Sequence, residues 1–309
     1  MSQPKSSSVL AELSAQLATA VERAGKSIVA IHARRRIPSS GIVWREGIVV
    51  AASHTVRREE EISVTLPAGD SATATIAGRD PATDLIALRL DDTKVPAASR
   101  GDAESLRVGT VALALGRPGR SVTASFGIVS AVAEGWRTWQ GARLDRLIRL
   151  DLAIYDGFSG GPLVDAGGGV LGVNNSALAR GTPVALPAVT VDRVLDELLE
   201  RGHVRRAYLG IAVHPVALGA ALVEQLGIAR QTALVVVSVA ERSPADRGGI
   251  LVGDVLLDAG GQPLRHPSDL LDALSGASND VPLELSILRG GRRQSLPVTP
   301  GDRHAAGSE

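Results

Sequence analysis

Leu10, Leu13, Leu17, Val21 and Ala24 recur at three- and four-residue steps, a spacing that lays one apolar stripe along a helix and predicts an amphipathic helix within residues 1–26. From Ser27 the texture changes. Short runs rich in Val, Ile, Thr and Ala, among them SIVAIHA, GIVVAAS, ISVTLPA, LIALRL, VALALG, GIVSAVA and LIRLDLA, are broken by Gly, Pro, Asp or Ser roughly every eight to twelve residues, which predicts an all-β barrel or sandwich. Val191, Val194, Leu195, Leu198 and Leu199 share one helical face behind Thr190, a candidate N-cap, so a helix closes this first domain, residues 27–200. The basic, glycine-containing run from Arg201 to Arg206 reads as an exposed linker, 201–206. Beyond it YLGIAV, ALVVVSV, DVLLDAGG and LELSILRGG predict strands, and SPADRGG and HPSDLLDALSG predict two short helices. Together they make a small α+β module over 207–300, followed by a polar, glycine-rich tail, 301–309, that should fray.

The 309 residues leave room for two domains of about 150 residues each. Thirty-three basic and 33 acidic side chains cancel, so no global field draws nucleic acid or an anionic membrane, and Arg34, Arg35 and Arg36 read as a solvated loop. The chain has no cysteine, which excludes disulfides, thiolate zinc sites, iron–sulfur clusters and a cysteine nucleophile. Its histidines form no close pair at metal-ligand spacing, so neither a metal nor a cofactor is expected. No run approaches the roughly 20 consecutive apolar residues of a membrane-spanning helix. Glu12, Glu22 and Arg23 interrupt the N-terminal segment, which therefore lacks the apolar centre of a secretory signal. The chain as written is expected in the cytoplasm, or in the periplasm if an export signal has been removed.

Chemistry falls to oxygen and nitrogen side chains, and the strongest local pattern is Gly157-Phe158-Ser159-Gly160-Gly161-Pro162. Glycines around a serine admit backbone conformations closed to other residues, so successive N–H groups can converge on one small space and cradle an oxyanion. Alone, the hexapeptide reads equally well as a tight β-turn. A serine hydroxyl needs a base to become a nucleophile, and the base needs a third group to fix its tautomer. Of the six histidines only His54 ends an apolar strand, Ile48 to Ala52, from which a rigid element could aim an imidazole into a cleft. Asp84 stands just before the apolar run Leu85 to Leu88, where a carboxylate entering a core needs a partner; capping the turn after Pro81 is the plainer alternative. The chain order His54, Asp84, Ser159 is that of the chymotrypsin-type double barrel. The G-x-S-x-G elbow of α/β-hydrolases runs Ser, Asp, His and leads into a helix, whereas Ser159 leads into Pro162 to Val164, a Gly167-Gly168-Gly169 turn and Val170 to Val173, a hairpin pattern.

In these residues the sequence resembles the HtrA family of trypsin-like serine proteases, which join a chymotrypsin-fold protease to one or more PDZ domains. The matching stretches are VVAASHTV around His54, GRDPATDLIALRL around Asp84, LRVGTVALALGRPG, SFGIVSAV, LDLAIYDGFSGGPLVDAGGGVLGVNNS around Ser159, then YLGIAV and SPADRGGILVGDVLLDAGGQPL; the likeness covers residues 27–300. It implies a mainly β chain with a chymotrypsin-like double β-barrel followed by a small α+β PDZ domain. It further implies an ATP-independent endopeptidase that acts on misfolded or unfolded polypeptides in protein quality control, often as a trimer. His54, Asp84 and Ser159 would be catalytic, and the amides of Gly157 and Ser159 would hold the oxyanion. Ala153 stands where trypsin-like enzymes carry a charged specificity residue, so with Tyr155 it would form an uncharged pocket that favours cleavage after small or medium aliphatic residues. Tyr208, Leu209, Gly210 and Ile211 resemble the PDZ loop that captures a peptide C-terminus while the next strand pairs with the peptide, and the helix Ser268 to Leu274 would form the other wall. The sequence departs from the family in two places. Tyr155-Asp156-Gly157-Phe158 replaces the usual Asn-Pro-Gly-Asn, and the opening helix has no Phe, Tyr or Trp where trimers are often held by aromatic residues. Trp136 and Trp139 fall in a region that resembles the family's regulatory loops. A proteolytically inactive PDZ peptide-binding chaperone or scaffold is the competing reading.

Overall fold

Helix α1 (Val9–Gly25) carries the expected stripe, but only its C-terminal half docks: Ala20 and Ala24 are buried and Leu17 and Val21 pack against them, while Leu10 is 76% exposed. Full burial of a leucine stabilises by about 1.5–3 kcal/mol, which Leu10 forgoes. The computed structural model describes residues 9–302 apart from 92–93, 139–140, 180, 228–230, 276 and 278–280, and the chain divides into two units, 1–204 and 205–309.

The first unit holds two closed six-stranded barrels. The first is built from β1 (Ile28–His32), β2 (Ser39–Arg45), β3 (Ile48–Ala52), β4 (Ile62–Thr65), β5 (Ser71–Asp80) and β6 (Leu85–Leu90), in the order β1-β2-β3-β6-β5-β4. The second comprises β7 (Val111–Gly116), β8 (Thr123–Arg137), β9 (Arg143–Asp151), β10 (Pro162–Val164), β11 (Val170–Asn175) and β12 (Val184–Pro187), in the order β10-β11-β12-β9-β8-β7. Closure leaves neither sheet with an unpaired edge. Inward residues such as Val29, Ile31, Val43, Val49, Ile86 and Leu88 fill the first barrel. The alternate residues Ile28, Ile42, Trp44, Val50 and Leu85 face a second core shared with Leu113, Leu115, Val173 and helix α2 (Ala188–Arg201). Burial on both faces explains why β3 reads as an unbroken apolar run.

Helix α2 buries Val191, Val194, Leu195 and Leu198 as its periodicity predicts. Its N-cap is Pro187, not Thr190. Thr190 lies inside the first turn, fully buried, and its Oγ1 donates to Asp145 Oδ2 on β9 at 2.8 Å, so tertiary contact rather than capping fixes this side chain. Trp136 sits on the β8–β9 hairpin opposite Leu144; Trp139 lies outside the described residues.

The second unit contains β13 (Ala207–Tyr208), β14 (Ile211–Ala217), α3 (Ala220–Leu226), β15 (Thr232–Val239), α4 (Pro244–Arg247), β16 (Val255–Ala259), β17 (Gln262–Pro263), α5 (Pro267–Ser275), β18 (Leu283–Arg289), β19 (Arg292–Val298) and β20 (Gly301–Asp302). Six strands form one sheet, in the order β14-β15-β16-β18-β19 with β17 paired to β16 off this path, leaving β14 at an edge beneath α5. Leu209, Leu234, Val236, Leu256, Leu285 and Ile287 are wholly or almost wholly buried in its core. Gly301 and Asp302 pair with Tyr208 and Ala207, so the start of the expected tail is part of the fold. Helix α3 was not expected from the sequence, because ALGAALVEQL offers too few polar positions to separate helix from strand.

Candidate active site

β3 and β6 pair antiparallel with Ala52 opposite Leu85. That register sets the residues just beyond it, Ser53 and Asp84, face to face, and the Ser53 amide donates to the Asp84 carbonyl at 2.9 Å. A single turn of 3₁₀-helix, Ser53–Thr55, then lifts His54 off the strand end. Asp84 closes a turn in which its own amide donates to Pro81 O at 3.2 Å and its φ is +56°, a left-handed conformation that aspartate tolerates better than most residues. The buried carboxylate of Asp80 supports that turn by accepting from the amides of Ala82 and Thr83 and from Thr83 Oγ1.

The two side chains meet. Asp84 Oδ1 accepts from the His54 amide at 2.8 Å, and Asp84 Oδ2 lies 2.5 Å from His54 Nδ1. An ionised carboxylate can only accept, so the proton sits on Nδ1 and the Nε2 lone pair is left for a substrate or nucleophile. The sequence reading missed a third partner: Asn175, fully buried at the end of β11, donates from Nδ2 to Asp84 Oδ2 at 2.6 Å. Its own Oδ1 accepts from the amides of Ala177 and Leu178, which fixes which end of the amide faces the carboxylate. A signal existed in Asn174-Asn175, two consecutive amides ending an apolar strand, since buried amides require partners.

Ser159 comes from the second barrel, on the turn before β10, and is 5% exposed. The turn is possible only with glycine at two positions. Gly157 has φ +90°, where a Cβ would lie 2.7 Å from Pro118 Cβ and 2.8 Å from Pro38 O; Gly160 has φ +91°, where a Cβ would lie 2.2 Å from Ser40 O and 2.8 Å from the Ala52 amide nitrogen. The Ser159 turn therefore rests directly on the strand that leads to His54. Among the described residues neither the Gly157 amide nor the Ser159 amide donates to a protein acceptor. The Ser159 hydroxyl does have a partner, which is not His54: it shares a hydrogen bond with Ser176 Oγ at 2.9 Å and accepts from the Ser176 amide at 3.3 Å.

The departure before the serine has a physical account. Phe158 is fully buried, edge-on to Tyr155 at 5.4 Å between ring centroids, and its ring lies where a Cβ on Gly116 would be 2.7 Å from Cδ1. An apolar side chain thus lies buried beneath the turn at the position where the family's usual motif has Asn. Tyr155 is 57% exposed, at the surface beside the site, and Ala153 is half-buried with its amide donating to Ser125 Oγ. In the second unit Leu209 and Gly210 are buried; Gly210 has φ +82° and no room for a side chain, a Cβ there lying 2.2 Å from Ser243 Cβ. Among the described residues no group of three or more His, Cys, Asp or Glu could hold a metal ion, and no helix is long and apolar enough to cross a membrane.

Two closed barrels with an imidazole and carboxylate on one and a glycine-cradled serine on the other define a trypsin-like peptidase fold, here joined to a PDZ unit. Residues 39–173 match the trypsin-like peptidase domain family and residues 235–289 match the PDZ domain family. The chain is 34% identical over 269 residues to a protein of Pseudomonas putida strain F1 named "Probable periplasmic serine endoprotease DegP-like", covering 85% of this chain and 55% of that protein. A protein of the same name from Chlamydia pneumoniae is 32% identical over 264 residues, 84% of this chain and 53% of its own. The chain thus spans about half the length of these curated relatives. Among solved structures, "HtrA-type protease AlgW with tripeptide" is 31% identical with a TM-score of 0.73, covering 93% of this chain and 97% of its own; a serine endoprotease from Yersinia pestis is 26% identical with a TM-score of 0.75 and the same coverage. The chain belongs to the HtrA family of serine proteases with a C-terminal PDZ domain.

Proposed function

We propose that this chain is a serine endopeptidase that cleaves unfolded or misfolded polypeptides and is regulated by peptides bound to its PDZ unit. The observation that carries this is the Asp84 carboxylate, held between His54 and Asn175, the last residue of β11, whose immediate neighbour Ser176 touches Ser159. In the proposed reaction the Ser159 hydroxyl turns from Ser176 to His54 Nε2 and attacks the substrate carbonyl while Nε2 takes its proton. The Gly157 and Ser159 amides receive the developing oxyanion; losing one such donor typically costs about 10²- to 10³-fold in turnover. His54 then gives the proton to the departing amine. Water, deprotonated by the same imidazole, hydrolyses the acyl-enzyme and restores the serine. Asp84 stays ionised throughout and stabilises the imidazolium.

Ala153 and Tyr155 bring no charge to the specificity pocket, which supports cleavage after small or medium aliphatic residues. In the PDZ unit a peptide would add to the open edge of β14 beneath α5, its terminal carboxylate held by the amides of Tyr208 to Ile211. A homotrimer, in keeping with the family, is tested by light scattering, and cell fractionation separates the cytoplasm from the periplasm named for the relatives. The inactive-scaffold reading is not favoured, because the relatives are named as endoproteases and the trypsin-like peptidase domain family matches residues 39–173.

Turnover of unfolded casein by this protein and by Ser159→Ala tests the proposal. The parent protein should degrade casein and the variant should not, although both bind C-terminal peptides equally. A parent protein that binds peptides yet leaves casein whole would overturn it in favour of the scaffold.

A further inference from the structure

Ser40 lies on β2 of the first barrel with no exposed surface. A hydroxyl at such a place costs stability unless it is fully hydrogen bonded. Its neighbour Ser39 carries a hydroxyl that has no partner among the described groups, yet Ser40 is engaged twice, and both partners belong to the second barrel. The Arg117 amide donates to Ser40 Oγ at 2.7 Å, so the single proton of Ser40 is directed to the Gly157 carbonyl, 2.5 Å away. Arg117 is itself an anchored residue. Its buried guanidinium donates to Ile28 O at 2.8 Å, Arg120 O at 2.5 Å and Gly25 O at 3.2 Å, and burial pushes it below the ordinary arginine value.

Gly157 is the third residue of a turn closed by Phe158 N–H to Tyr155 O at 3.0 Å, with the positive φ of a type II turn. Glycine allows this conformation without selecting it, since both signs of φ are open to it. The carbonyl that Ser40 holds belongs to the Gly157–Phe158 peptide, which lies between the two peptides that carry the Gly157 and Ser159 N–H groups, so its orientation bears on both through the shared Cα torsions. The base comes from one barrel and the oxyanion donors from the other, and a misplacement of about 1 Å between such groups can cost about 10²-fold in rate.

We propose that Ser40 is a positioning residue that ties the Gly157 carbonyl to the first barrel and so registers the oxyanion donors against His54. This role rests on the endopeptidase reading. Without the hydroxyl, the Gly157 carbonyl and the Arg117 amide are left buried and unpaired, and the glycine peptide reorients to find other partners.

The experiment compares the full-length protein with Ser40→Ala, and with Ser40→Cys as a near-isosteric variant whose thiol is too weak a donor to hold the carbonyl. Three quantities are read: kcat and KM on a peptide substrate, affinity for a peptide aldehyde that mimics the tetrahedral intermediate, and affinity for the matching uncleaved peptide amide. Folding is checked by circular dichroism and Tm. In a folded variant kcat should fall about 10- to 100-fold with KM within about threefold, and aldehyde affinity should fall by the same factor as kcat/KM. Amide affinity should hold. Folded variants that keep parental kcat and aldehyde affinity would overturn the role of Ser40 alone, as would equal losses for aldehyde and amide. A parent protein that neither turns over substrate nor binds the aldehyde would overturn the endopeptidase reading, and the role of Ser40 with it.

Discussion

The first barrel supplies His54 and Asp84 from the ends of two directly paired strands, 30 residues apart in sequence, and holds them with hydrogen bonds between side chains and main chain. The second supplies Ser159 from a turn shaped by backbone torsions, with Gly157 and Gly160 at positive φ and an apolar anchor, Phe158, beneath it. One half of the site is fixed by polar contacts around the Asp84 carboxylate; the other rests on conformations that favour glycine and on close packing, with the Ser40 hydroxyl holding the Gly157 carbonyl from the first barrel. The two halves should therefore fail differently. Loss of a polar contact in the first barrel changes chemistry while the fold survives, whereas an added methyl group in the second damages the turn and its stability together.

The largest expected effect is in the first barrel. Asp84→Asn is nearly isosteric but disfavours the Nδ1–H tautomer of His54, so kcat should fall about 10⁴-fold with the circular dichroism spectrum unchanged. A loss of less than tenfold would mean that the carboxylate does not serve the imidazole. Next comes Gly157→Ala. The new Cβ would meet Pro118 and Pro38 inside van der Waals distance at a φ that alanine resists, so kcat should drop about 10²- to 10³-fold and, unlike the first case, Tm should drop as well. Parental kcat and Tm would show that the turn is not built as described. The smallest is Asn175→Ala. Removing one charge-assisted hydrogen bond to Asp84, worth about 1.5–3 kcal/mol, should lower kcat roughly 10- to 100-fold while KM stays within about threefold. Unchanged kcat would remove Asn175 from the site.

The same contrast explains what could be read from the sequence. The double barrel was legible from the spacing of short apolar runs together with the family resemblance. His54, Asp84 and Ser159 stood out because each sits in a local pattern: a histidine ending a strand, an aspartate opening one, a serine among glycines. Asn175 and Ser40 did not. Each looks like an ordinary strand residue, and its meaning depends on which strand end or turn of the other barrel lies against it, a contact spanning 91 residues for Asn175 and 117 for Ser40. Thr190 misled for the same reason: it suits a helix start, yet its hydroxyl is claimed by Asp145, 45 residues earlier. Local propensity yields to tertiary partners where buried polar groups must be satisfied.

Site-specific labelling with a fluorophosphonate, read by peptide mass spectrometry on the folded protein, addresses most directly whether three side chains from two barrels form one nucleophilic centre. One adduct per chain, on Ser159 and abolished by His54→Ala, is the predicted result. A folded chain that takes no adduct, or takes it on Ser176 or elsewhere, would contradict it.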